Sequence, residues 1–191
     1  MPKSEEQCKQ MREDMRSKIL KMSSLYFAKN GFGDTKISDL AKHIGIGQGT
    51  IYLYFKSKED LFEEIRKNAD NKEEVKKIKV LSKFPIPVKA KIDRISEEVV
   101  RKLEDEDYAV KIIIYTQLLL EKENALYSSD MYKALEDIIK KGQKEGCVVK
   151  NDPLILADLY WGTVYLYALK RLFINDYKMI DKATLSRLLE G

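Results

Sequence analysis

Histidine, cysteine, proline and glycine are all scarce in this 191-residue chain, present at one, two, four and nine copies. The lone histidine, His43, and the widely separated Cys8 and Cys147 leave neither a metal-ligand spacing nor a disulfide framework. No nucleophile–base pair stands out, so no catalytic, metal or cofactor role is expected. Sustained β alternation and hairpin turn chemistry are missing as well. The longest apolar run, Ile112 through Leu120, contains Thr116 and Gln117 and falls short of the roughly 20 residues that span a bilayer. The N-terminal stretch MPKSEEQCKQMRED is a polar leader without the apolar core of a signal peptide. A soluble, cytoplasmic protein with no membrane partner is predicted.

Charge, by contrast, is plentiful. Charged residues make up 35% of the chain, above the roughly 25% typical of globular domains. The 44% hydrophobic content still supports one larger domain, or a small domain attached to a medium one. The positive charge is concentrated at the front. Residues 1–58 hold eleven Lys/Arg against six Asp/Glu, while the remainder is nearly balanced. A basic front end on a nearly neutral body suits a polyanion partner, although a merely solvated surface has the same composition.

Between the few glycines and prolines the apolar spacing is helical throughout. Ile19, Met22, Tyr26 and Phe27 mark one face of a first helix, stopped at Asn30-Gly31. Ile37, Leu40, Ala41 and Ile44 predict a second helix over 37–44, Gly45-Ile46-Gly47 a tight turn, and residues 48–54 a short third helix. Ser57, with Asp60 three residues on, reads as the cap of a fourth helix carrying Leu61, Phe62 and Ile65. Beyond the break at Phe84-Pro85-Ile86-Pro87, helices are predicted over 88–103, 108–124, 129–144, from Asp152-Pro153 to about 173, and over 182–190. The predicted fold class is all-α.

Residues 35–58 are the informative stretch. Two short helices around a glycine-containing turn are a helix-turn-helix signature. Ala41 lets the helices approach closely, Gly45 permits the sharp turn, and Ile46 and Ile51 anchor the third helix. Its other side then presents Gln48, Thr50, Tyr52 and Tyr54, polar groups able to reach base edges and phosphates from the major groove. An aromatic beside Ile51 is also a common core residue, so Tyr52 has the weakest claim of these. Lys58 adds a charge at a helix start, suited to a backbone phosphate.

The pattern Gly31-Phe32, Thr35, Leu40-Ala41, Gly45-Ile46-Gly47, Gly49-Thr50-Ile51-Tyr52, Tyr54-Phe55, Lys58, Leu61-Phe62 resembles the tetracycline-repressor (TetR) family, in order and without gaps, over about residues 16–66. The resemblance implies an N-terminal three-helix helix-turn-helix DNA-binding domain over 1–56. It implies a C-terminal helical ligand-binding and dimerisation domain over 57–191. The family's usual contact positions fall on Lys36, Gly47, Gln48, Gly49, Thr50, Tyr52, Tyr54 and Lys58, and Thr35 matches a common cap of the second helix. Lys36 departs from a frequent threonine and Gly47 from a frequent serine, so an operator sequence cannot be carried over.

The implied function is a homodimeric transcription regulator on double-stranded DNA, a repressor released from a near-palindromic operator by a small hydrophobic or aromatic effector. The alternative is a DNA-binding regulator without an effector. Tyr115, Leu118 and Trp161 are expected to line the effector pocket. In the helix after Asp152-Pro153, Tyr160, Val164 and Tyr167 share one face and Trp161, Tyr165 and Ala168 the adjacent one. One of these faces is expected to join the dimer and the other to look into the pocket. His43 reads as a solvent-facing residue, and the acidic run Glu104–Asp107 as a solvated loop and helix cap. Gly45-Ile46-Gly47-Gln48-Gly49 lacks the strand and third glycine of a dinucleotide loop, since Thr50 stands where that glycine is needed.

Overall fold

The computed structural model describes residues 4–191, which form eleven helices and divide after Ala69 into two compact units. The first unit holds α1 (Glu5–Asn30), α2 (Ile37–Ile44), α3 (Gln48–Tyr52) and α4 (Lys58–Asn68). From Glu5 onward the polar leader is helical. Ser4 Oγ accepts from the Gln7 amide at 3.2 Å while Gln7 Oε1 accepts from the Ser4 amide at 3.1 Å, a reciprocal cap that starts α1 at Glu5. Residues 4–14 are exposed on every side, so no apolar stripe signals this helix. From Ile19 onward α1 buries one face, and Gly31 ends it at φ 75°, donating to the Phe27 carbonyl at 2.9 Å.

The core of this unit is Ile19 and Phe27 from α1, Leu40 and Ile44 from α2, Ile51 from α3, Phe55, and Leu61 and Ile65 from α4, each at most 4% exposed. Phe32 and Phe62 stack at 4.2 Å, and Phe27 meets both edge-on. Arg16 bridges to Glu64 at 2.7 Å and covers the Phe55 ring. The Ser57 cap is present: its hydroxyl accepts from the Asp60 amide at 3.1 Å, and Asp60 Oδ2 accepts in return from the Lys56 amide at 2.9 Å.

The second unit comprises α5 (Lys72–Lys83), α6 (Val88–Leu103), α7 (Glu106–Leu120), α8 (Ala125–Ser128), α9 (Asp130–Glu145), α10 (Pro153–Phe173) and α11 (Lys182–Arg187). The Asp152-Pro153 start holds, with Asp152 Oδ1 accepting from the Leu154 amide at 2.8 Å. In the acidic run, Asp105 caps α7 by accepting from the Asp107 amide at 2.8 Å. α10 is the central helix, packed on α6, α7 and α9, while α5 lies on α6 and α9 and α11 on α6. Tyr160 of α10 is fully buried and shares a 3.0 Å hydrogen bond with Ser96 of α6, and that burial pushes its phenol well above the ordinary tyrosine range.

Where α9 ends, Gly142 is buried, and a β-carbon there would collide with the side chains of Val148 and Val88. Replacing a helical glycine by alanine ordinarily gains about 1 kcal/mol. Forcing a methyl against two β-branched, rotamer-locked valines costs roughly 1–3 kcal/mol, so the clash wins. Gly142→Ala is expected to lower stability by about 1 kcal/mol in urea unfolding; an unchanged or raised midpoint would mean that the valines yield.

Candidate nucleic-acid interface and ligand cavity

The turn between α2 and α3 fixes the outward face of the first unit. Gly45 takes the left-handed conformation (φ 75°, ψ 37°), its amide donating to Lys42 O at 3.1 Å and the Ile46 amide to Ala41 O at 3.0 Å. This is the Schellman arrangement, which satisfies two end carbonyls of α2 and reverses the chain. A β-carbon at Gly45 would meet nothing within 4 Å, so it is the positive φ alone that calls for glycine. α3 then runs for five residues with Ile51 driven fully into the core and Phe55, just beyond it, 2% exposed.

Those two anchors leave Gly47, Gln48, Gly49, Tyr52 and Leu53 exposed and Thr50 and Tyr54 half-buried on one contiguous segment, with Lys36 and Lys56 exposed nearby in sequence. The sequence reading thus located the outward residues of α3, and Tyr52, at 48% exposure, is no core residue. It missed Leu53, which at 74% is the most exposed of the large apolar side chains here. Helical spacing could have pointed to it, since position 53 falls two residues after the buried Ile51. His43 is exposed, its ring 5.1 Å from that of Tyr26, as a solvent-facing residue would be.

Two expected contact residues are occupied otherwise. Thr35 is 4% exposed and does not cap α2; its hydroxyl donates to the Gly31 carbonyl at 2.6 Å, and residue 36 holds the cap position without a side-chain bond. Lys58 turns its ammonium inward. Nζ donates to the carbonyls of Phe32, Gly33 and Thr35 at 3.1, 3.3 and 3.1 Å and lies 4.3 Å from the Phe32 ring centroid. An ammonium has three N–H donors, and all three are used. The carbonyls of Phe32, Gly33 and Thr35 lie in the loop before α2, outside its ladder, and Lys58, the first residue of α4, brings its ammonium to all three.

In the second unit a cavity of about 280 Å³ opens between α7, α9 and α10. Tyr115 and Trp161 line it and Leu118 does not; the α7 positions on its wall include Ile112, Thr116 and Leu119. An almost wholly apolar helix offers no periodicity to separate Leu118 from Leu119. Asp158 is on the wall, accepting from Tyr127 Oη at 2.9 Å and bonded to Tyr132 as well. Burial, then the Asp158 charge, push the Tyr132 phenol up, and the Asp158 bond does the same to Tyr127, so both remain donors over the ordinary pH range. Of the two aromatic faces foreseen for α10, Tyr160, Trp161, Val164 and Ala168 are buried and Tyr165 and Tyr167 are half-buried. Its solvent side is a third stripe, Ile155, Leu159, Gly162, Leu166 and Phe173.

A short anchored helix after a Schellman turn, carried on an all-helical chain, has the geometry of a helix-turn-helix. Residues 19–65 match the family model of bacterial regulatory proteins, tetR family. The uncharacterized HTH-type transcriptional regulator YhgD of Bacillus subtilis (strain 168) is 24% identical over 185 residues, 93% of each chain. Among solved structures, the ketosteroid transcriptional regulator KstR2 of Mycobacterium tuberculosis superposes with a TM-score of 0.64 at 17% identity, covering 93% of this chain and 95% of that one. AibR, in complex with isovaleryl coenzyme A and operator DNA, gives 0.64 at 13% identity, covering 90% and 94%. At such identities these two superpositions speak for the fold. The chain is thus similar to bacterial regulatory proteins of the tetR family over residues 19–65, and to an HTH-type transcriptional regulator over nearly its whole length. Among the described residues no helix is long and apolar enough to cross a membrane.

Proposed function

We propose that this protein is a transcription regulator of the TetR family, a homodimeric repressor that leaves a near-palindromic operator when a small molecule fills the cavity of its second unit. The helix-turn-helix of residues 1–56 reads DNA. Effector binding and dimerisation fall to residues 57–191, of which α4 packs with the first unit and α5–α11 make the second. The observation that carries the reading is the outward set on and after α3: Gln48, Thr50, Tyr52 and Tyr54, with Gly47 and Gly49 allowing close backbone approach and Lys36 placed for a phosphate. Thr35 and Lys58 hold the 31–35 loop that leads into α2. The exposed α10 stripe supports dimerisation, because three of its members, Ile155, Leu159 and Phe173, are each more than half exposed. A cavity bordered by Tyr115 and Trp161 supports a small-molecule effector with an apolar part, and AibR is a protein of the same fold seen with a small molecule and DNA together. The protein is then cytoplasmic, where the DNA is.

Selection from a random duplex pool tests this directly. The expected winner is a near-palindrome whose half-sites lie about one helical turn apart, with affinity falling steeply as salt rises. Gln48→Ala is expected to relax preference at one base position per half-site by roughly 1–3 kcal/mol while nonspecific binding stays within about twofold. Equal loss on all sequences would make Gln48 a positioning residue, and no enrichment in any salt would remove the operator reading.

A further inference from the structure

Asn71 holds the N-cap position of α5, where an asparagine side chain ordinarily accepts from one of the first helix amides. It makes no such bond. The residue is 3% exposed, its Nδ2 has no hydrogen-bond partner, and it lines two cavities at once. A buried donor is rarely left unpaired, and the first helix amide, that of Lys72, is held by Asp70 Oδ1 at 3.1 Å instead. Its placement therefore calls for an acceptor from outside the chain. Trp161 repeats the pattern: its Nε1 is also buried without a partner, and the residue lines the smaller cavity.

The two cavities differ in chemistry. The smaller, about 280 Å³, is walled chiefly by apolar side chains of α7, α9 and α10. The larger, about 470 Å³, shares Asn71, Tyr115 and Leu119 with it and is bordered by Lys72, Lys76, Lys79 and Lys83. These lysines recur at a spacing that puts them on one face of α5. Two acids lie among them, Asp70 paired with Lys72 and Asp130 with Lys79 at 3.1 Å. Lys76 and Lys83 pair with no carboxylate among the described residues, so four lysines against two aspartates leave a surplus of two positive charges. The smaller cavity offers a cation little, because its lining carboxylate, Asp158, is already held by Tyr127 and Tyr132.

We propose that the effector is an acyl group esterified to a phosphorylated carrier. The acyl chain fills the smaller cavity, its carbonyl accepts from Asn71 Nδ2, and the phosphorylated head lies along Lys76 and Lys83. This rests on the effector reading above and names the ligand class for it. At the roughly 30 Å³ that a water occupies in the liquid, the smaller cavity of about 280 Å³ admits on the order of nine heavy atoms, the size of a medium-length acyl chain. A free fatty acid lacks the head, and a plain aromatic lacks both the acceptor and the charge.

Thioesters and oxygen esters of phosphorylated carriers share this chemistry, so octanoyl-coenzyme A and octanoyl-lysophosphatidate are the probes, with octanoate and decylamine as controls. Calorimetric titration of the full chain without DNA is expected to show at least one probe binding roughly tenfold or more tightly than either control, and less tightly as salt rises. The tighter probe identifies the carrier. Lys76→Gln with Lys83→Gln, both surface changes, is expected to weaken that probe roughly tenfold and leave octanoate unaltered, and Asn71→Leu, separately, to weaken the probe roughly tenfold. Absence of binding by both probes at about 1 mM, equal binding by a control, or indifference to the lysine pair would overturn the proposal. Operator release separates the two readings. Release by octanoate but not by the probes keeps an effector and rejects this ligand class. A probe that binds in the lysine-dependent way without releasing operator keeps the ligand class and rejects the effector role.

Discussion

Lys58→Ala is expected to destabilise the first unit by about 2 kcal/mol and to weaken DNA binding only through that loss. The ammonium satisfies three loop carbonyls and covers the Phe32 ring. Hydrogen bonds from a charged donor are worth roughly 1.5–3 kcal/mol each where buried, and the cation–π contact about 0.5–1. The site is half-buried, and water can replace part of what is lost, which brings the sum down to about 2 kcal/mol. For a unit of this size that corresponds to a drop of roughly 10 °C in the unfolding midpoint. Thermal unfolding beside operator titrations at several salt concentrations distinguishes the roles. A stable Lys58→Ala protein whose salt slope falls by about one phosphate per half-site would return Lys58 to the DNA. In the expected case the slope is unchanged below the melting range. Lys58→Arg rescues little, because a planar guanidinium cannot point its donors at three carbonyls as an ammonium does.

The largest effect is expected from Ile51→Ala. α3 has five residues, far below the roughly 12–15 that an isolated helix needs to be even marginal in water. Its geometry is therefore imposed by what it buries, and Ile51 is its only fully buried residue. Truncating it costs roughly 2–5 kcal/mol, most of which falls on the short segment that presents Gln48, Thr50 and Tyr52. Operator binding is expected to fall by at least about a hundredfold, with most helical circular dichroism and the oligomeric state retained, since α5–α11 form a separate compact unit. Binding within about twofold of the parent protein would mean that Phe55 and the Gly45 turn hold α3 unaided.

What was legible in the sequence was local. Ser57, Asp152-Pro153, Gly31 and Gly45 each act within a few residues of themselves, and each cap or turn appears where its chemistry placed it. The inward residues of α2 and α3 followed from spacing in the same way. The polar first turns of α1 and the lysine-rich α5 give almost no apolar signal; α5 buries only Val75 and Ile78, and its span went unassigned. The residues that sit otherwise than expected answer to loop geometry and packing rather than to the pattern of their own helix. Lys58 answers carbonyls more than twenty residues earlier. Thr35 is turned from the cap by the Gly31 carbonyl. In α7 and α10 apolar residues occur on every side, so the choice of Leu119 over Leu118, or of the Ile155–Leu159 stripe over the tyrosine faces, is made by the helices packed against them.

The exposed Leu53 has a bearing on the thermodynamics of recognition. Attraction between lysines and phosphates acts over a Debye length and is dulled by every added ion. Leu53 and the ring of Tyr52 carry no charge, and whatever apolar surface they lose on docking against sugars or thymine methyls contributes a share that ionic strength leaves alone. That share carries the negative heat-capacity change of apolar burial and weakens on cooling. On the proposed reading, the groove is met with two forces of different origin, one tuned by ionic strength and the other by temperature.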